Sequence, residues 1–102
     1  MPAAYVIVDL KITDPERFKA YMAAAPATIA AAGGEYLVRG GPFETLEGDW
    51  RPSRLTVLRF PSMMQAKAWY EGEQYRQAIA HRAGATAFFN MNLVEGVDAP
   101  PV

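Results

Sequence analysis

Asp9, Arg39, Trp50, Asn90 and Asn92 are the side chains whose types and settings best suit work on a small molecule. Asp9 sits in the apolar run from Tyr5 to Ile12, where a carboxylate is costly unless it is paired, hydrogen-bonded or held protonated. It is the candidate catalytic residue, moving a proton; the competing reading is an ion pair with Arg54 or Arg59. Arg39 stands directly before Gly40-Gly41. Glycines there let a ligand approach while a fixed guanidinium clamps its carboxylate, although Arg39 can equally pair with Glu47 or Asp49. Trp50, in the polar turn Glu47 to Pro52, needs cover from its own subunit, from a partner or as the wall of a pocket. Asn90 and Asn92 lie two apart on an extended segment and so face the same way, offering amide donors and acceptors to a ligand or to each other. With Tyr5 as a further wall, the candidate substrate-binding set is Tyr5, Arg39, Trp50, Asn90 and Asn92, and its expected ligand is a small polar or aromatic metabolite.

Other chemistries find little support in the composition. There is no cysteine and a single histidine, His81, so thiolate and two-histidine metal sites are not expected, and neither a metal nor a cofactor is assigned. His81, beside Arg82 near a helix end, reads as a favourable partner for the helix dipole. Met63 and Met64 read as packing residues that fill the core or cover the sheet edge. The formal charge of −1 comes from interspersed acids and bases, which gives no basic stripe for nucleic acid or anionic lipid. The alanine-rich tract from Ala23 to Ala32 is too short and too weakly apolar to span a bilayer, so no membrane partner is expected. The start, Met1 to Tyr5, has no basic stretch followed by an apolar run, and a cytoplasmic setting is expected.

The elements that must position these residues follow from periodicity. Val6, Val8, Leu10 and Ile12 alternate with Tyr5, Ile7, Asp9 and Lys11, which predicts a first strand. Thr13-Asp14-Pro15-Glu16 is a helix start, and the helix carries Phe18, Tyr21, Met22, Ala25 and Ile29 on one face until Gly33-Gly34. A kink is expected at Pro26. Glu35 to Arg39 reads as a second strand; Gly40-Gly41-Pro42 should bend it before Phe43 to Leu46 resume the extended pattern. A third strand is expected over Leu55 to Phe60. A second helix follows, capped at Ser62, broken or adjusted at Gly72 and ended by Gly84. Ala87 to Glu95 is the fourth strand, with Phe89, Met91 and Leu93 opposite Phe88, Asn90, Asn92 and Val94.

The order βαββαβ fits one domain over residues 1–96, with a flexible tail over 97–102. The fold class is α+β and ferredoxin-like: two split βαβ units with right-handed crossovers, both helices on one face of a four-stranded antiparallel sheet. The other face, roughly 19 by 16 Å, would carry Tyr5, Ile7, Phe88 and Val94, which is too apolar for a monomer. A second copy across a twofold axis buries it at the scale of a stable interface, roughly 1,200 to 2,000 Å². The expected partner is therefore the chain itself, as a homodimer or an assembly built from one.

Five segments together carry a family resemblance: Tyr36-Leu37-Val38-Arg39-Gly40-Gly41, the turn Leu46 to Pro52, Phe60-Pro61-Ser62, Ala68-Trp69-Tyr70 and Leu93-Val94-Glu95-Gly96. With them the chain resembles, from Tyr5 to Gly96, the uncharacterised family known as domain of unknown function 1330. That resemblance implies a dimeric α/β barrel and brings no agreed activity. The wider group of similar barrels includes cofactor-free monooxygenases, lactone isomerases and heme-binding enzymes, an analogy of fold alone. The functional expectation is a cofactor-free small-molecule enzyme of monooxygenase or isomerase type, its cleft lying between helices and sheet or between paired sheets. The alternatives are a non-catalytic metabolite-binding dimer and a structural one.

Overall fold

Alternation along the first strand sets the layer structure. In the computed structural model, which describes residues 2–97, Ala4, Val6, Val8 and Leu10 of β1 (Ala4–Ile12) point into the core while Tyr5, Ile7 and Asp9 face the other way. The helix α1 (Pro15–Ala31) begins where the sequence indicates: the Asp14 side chain accepts a hydrogen bond from the Arg17 amide at 3.1 Å, and Pro15 occupies the first turn. The helix runs on through Pro26. At its end Gly34 donates to the Ile29 carbonyl at 2.9 Å. A Cβ on Gly34 would lie 2.6 Å from the Phe60 ring, so only glycine lets helix end and sheet close on each other here.

The strands β2 (Glu35–Arg39) and β3 (Arg54–Phe60) pair antiparallel, with a register shift between Tyr36 and Val38. Gly40 donates to the Leu55 carbonyl at 2.8 Å, and its φ of +69 then turns the chain out of the sheet. Here the extended pattern expected over Phe43 to Leu46 is overturned: residues 41–53 form an arm without strand or helix. The physical reason is local, since the left-handed turn at Gly40 aims the backbone away from β3 and Pro42 has no N–H to return to the ladder.

The second helical segment divides at Gly72 into α2 (Met63–Glu71), capped by Ser62 accepting from the Gln65 amide at 3.2 Å, and α3 (Glu73–Ala80). Gly84, at φ +75, turns the chain into β4 (Thr86–Glu95). The sheet is four-stranded and antiparallel in the order β2-β3-β1-β4. Its helix-side residues join Phe18, Ile29, Trp69 and Tyr75 in one buried cluster. The Trp69 indole donates to the Thr28 hydroxyl at 3.0 Å, and that hydroxyl donates to the Ala25 carbonyl at 2.8 Å, so these two buried groups are satisfied. Met63 packs against this cluster, but Met64 is 75% exposed, contrary to the packing role expected of both. Adjacent positions on α2 lie about 100° apart around the axis, so only one of the pair can face the sheet. Among the described residues no helix is long and apolar enough to cross a membrane. Of the expected tail, residues 98–102 lie outside the described residues.

Candidate active site

Two places collect the functional groups, one on each face of the sheet. On the open face, Asp9 holds the arm. Its carboxylate accepts from the Trp50 indole N–H at 3.2 Å and from the Ser53 amide at 2.9 Å. Strand pairing sets Asp9 opposite Asn90, and a groove of about 500 Å³ runs past Asp9, Trp50, Asn90 and Asn92. The expected ion pair of Asp9 with Arg54 or Arg59 does not form. Arg59 reaches Glu35 instead, at 3.8 Å, and Arg54 projects from the opposite face of β3. Trp50 remains 59% exposed, its ring covered only in part by its own chain. Tyr5 shares this face but pairs with Val94 and Arg59 at the far end of β1 and does not line the groove beside Trp50.

The second place lies between α1 and the sheet, where a cavity of about 40 Å³ has an apolar floor that includes Val8, Leu58 and Met91. Arg39 is brought here and not to the open face. Its Nη2 donates to the Met22 carbonyl at 3.3 Å, and its guanidinium stands 4.6 Å from the centre of the Tyr36 ring. The pairing of Arg39 with Glu47 or Asp49 across the arm is not seen; the arm swings to the other face of the sheet. Arg54 joins Arg39 at the cavity, two residues along β3 from Thr56, the residue directly opposite Arg39. A Cβ on Gly40 would lie 2.8 Å from the Arg54 guanidinium carbon, so what the glycine admits is a second arginine of the same chain.

On the inner wall Tyr21 lines the cavity, backed by the buried Tyr75, which does not itself line it. The hydroxyls of Tyr21 and Tyr75 are 2.6 Å apart, and the Arg82 guanidinium lies 5.4 Å from the Tyr21 ring centre and 3.7 Å over Phe89. The Arg82 Nε is buried without a hydrogen-bond partner among the described residues. Burial first, and then the neighbouring Tyr75, push the Tyr21 phenol far above its usual range, with Arg82 opposing. Tyr75 is also raised by burial, while its bond to Tyr21 and the Arg82 charge pull it the other way. Tyr36 is raised by burial against the pull of Arg39. The hydroxyls are thus held neutral, as hydrogen-bond donors need to be. Among the described residues no three His, Cys, Asp or Glu side chains converge as a metal site would require.

Residues 3–97 match the family described as "Domain of unknown function (DUF1330)". The chain belongs to this family. No curated protein matches it. Among solved structures, it is similar to RPA0582 of Rhodopseudomonas palustris, a protein of unknown function: TM-score 0.76, 15% identity, covering 96% of this chain and 85% of that one. It is also similar to SnoaB, a cofactor-independent oxygenase from Streptomyces nogalater, with TM-score 0.62 and 10% identity over 100% of both chains. A third likeness is to a dimeric ferredoxin-like protein of unknown function from Thermobifida fusca, with TM-score 0.60 and 14% identity, covering 92% of this chain and 91% of that one. At these identities the likeness shows the ferredoxin-like fold and nothing of the chemistry.

Within this DUF1330 fold, sequence reasoning brought Asp9, Trp50, Asn90 and Asn92 to one groove and misplaced Arg39 relative to them. It missed Tyr21, Tyr75, Arg54 and Arg82 as a group. Tyr21 and Tyr75 fall on the apolar faces of their helices and read as core; the pairing of their hydroxyls across 54 positions leaves no mark in either local pattern.

Proposed function

We propose that this DUF1330 protein is a cytoplasmic homodimeric enzyme acting on a small molecule without a cofactor, of isomerase or oxygenase type, with its substrate in the cavity between α1 and the sheet. The observation that carries this reading is the Tyr21 phenol, which lines the cavity while its hydroxyl is held from behind by that of Tyr75 and its ring lies beside the Arg82 guanidinium. A neutral phenol in a dry wall is a donor suited to an oxyanion that develops on the substrate, as when a carbonyl becomes an enolate. In an isomerisation the proton that leaves one carbon is taken up by water or by a carboxylate of the substrate itself, since no acidic or imidazole side chain lines the cavity, and is then returned to another carbon, so atoms and electrons balance. SnoaB, a cofactor-independent oxygenase, lends the fold a precedent for cofactor-independent chemistry.

The exposed Phe88 and Val94 on the open face support the dimer, and Asp9 then serves chiefly to pin the Trp50 arm beside that interface. The small volume of the cavity, about 40 Å³, favours a second reading, in which the dimer assembles or binds without turnover. Turnover of a panel of enolisable carbonyl compounds, followed by absorbance and by oxygen uptake, separates the two. Tyr21→Phe is expected to lower kcat by about a hundredfold while leaving the fold intact. Compounds that bind the cavity and are recovered unchanged after long incubation in air would leave the second reading standing.

A further inference from the structure

Resting on the reading of this cavity as a ligand site, we infer that Arg39 and Arg54 form a carboxylate clamp at its mouth, selecting an organic monoanion with a short, flat apolar tail. The two arginines project from neighbouring strands on the same side of the sheet. Like charges so placed repel each other. No acidic side chain lines the cavity, and neither of the two ion pairs among the described residues involves Arg39 or Arg54. The partners of Arg39 are neutral, a carbonyl and an aromatic face, and the Arg54 guanidinium lies in the space that a side chain on Gly40 would fill.

Among the described residues no acidic side chain neutralises either guanidinium, and Arg39 is held in place by its bond to the Met22 carbonyl. A carboxylate between them accepts from both and removes the repulsion. Apart from Thr56, the other lining side chains are apolar or aromatic, with Phe18, Tyr21, Tyr36 and Phe89 as flat walls. The tail must therefore be apolar and flat. Met22, half-buried at the rim, is the flexible side chain that yields to admit it.

Benzoate, its neutral counterpart benzamide and inorganic phosphate distinguish the parts of this inference when titrated into the wild-type protein by calorimetry and thermal shift. The expected result is that benzoate binds and raises Tm while benzamide and phosphate do not, and that Arg54→Met weakens benzoate by about tenfold or more. Competition by added chloride on the wild-type protein gives the same readout should the variant not fold. Equal binding of benzamide would overturn the charge clamp, equal binding of phosphate would overturn the apolar tail, and no binding of benzoate would overturn both. Benzoate bound in a protein that turns nothing over would sink the enzymatic reading and leave the clamp standing. Turnover of neutral carbonyl compounds, uninhibited by benzoate, would do the reverse.

Discussion

On the helix side of the sheet Val6, Val8, Leu10, Leu58 and Phe60 are at most 3% exposed, whereas on the opposite side Ile7, Val57, Phe88 and Val94 keep contact with solvent. Both sides carry apolar residues along β1 and β4, but the open side interleaves them with Asp9, Lys11, Asn90 and Asn92, and the helices cover the other side. The polar groups sort in the same way. Arg39 and Arg54 stand on the helix side at a cavity, and Asp9, Asn90 and Asn92 stand on the open side beside an arm. Closure by the chain's own helices makes an apolar pocket, with the half-buried Arg54 and the exposed Arg39 at its edge. An uncovered face makes a surface where hydrogen bonds hold loops and await a partner.

Truncation tests this contrast most strongly. Phe60→Ala should cost about 3–5 kcal/mol in urea denaturation, because Phe60 is fully buried and its neighbours Trp69 and Gly34 cannot collapse into the space. Phe88→Ala should leave the stability of the subunit within about 1 kcal/mol while raising the dissociation constant of the dimer, read by light scattering over a dilution series. Equal effects of the two substitutions on subunit stability would erase the distinction between the faces.

A pH series sharpens it. In the folded state Tyr21 holds its proton well above the value of about 10 that a free tyrosine shows, and the Tyr75 phenol is raised as well. Their contribution to stability is therefore fully present below about pH 10, and it is lost as pH rises from there toward the folded-state values, because the unfolded chain releases its protons first. Thermal denaturation from pH 8 to 11 should show this decline, and Tyr21→Phe should flatten it. A slope unchanged by that substitution would place the alkaline sensitivity elsewhere.

The smallest expected effect is on the open face. Asp9→Ala removes the acceptors of Trp50 and Ser53 and should cost about 1 kcal/mol or less, since both bonds are partly exposed to water. Its clearer sign would be faster proteolysis within residues 41–53. An arm equally resistant in the variant would show that something other than Asp9 fixes it.

Local patterns were enough to find the four strands, the helix start at Thr13-Asp14-Pro15, the cap at Ser62 and the break at Gly72, because each is a matter of side-chain alternation or of a backbone group needing a partner within four residues; that Asp14 and not Thr13 caps the first helix is seen only in the structure. The turn at Gly40 was legible as a bend but not as a departure, since a positive φ states a direction only once the strand before it is placed. Asp9 and Trp50 could be singled out because each is anomalous where it stands, a charge in an apolar strand and an indole in a polar turn. The tyrosine pair and the second arginine could not be found that way: Tyr21, Tyr75 and Arg54 are ordinary in their own segments and acquire meaning only by meeting. The sequence by itself determined the family, the order of elements and the side of each strand that must be buried, because these depend on periods of two and three to four residues along one chain. Only the tertiary structure decided that Arg39 turns to the helices and Trp50 to the open face, because that choice rests on distances between residues far apart in sequence, which no local period encodes.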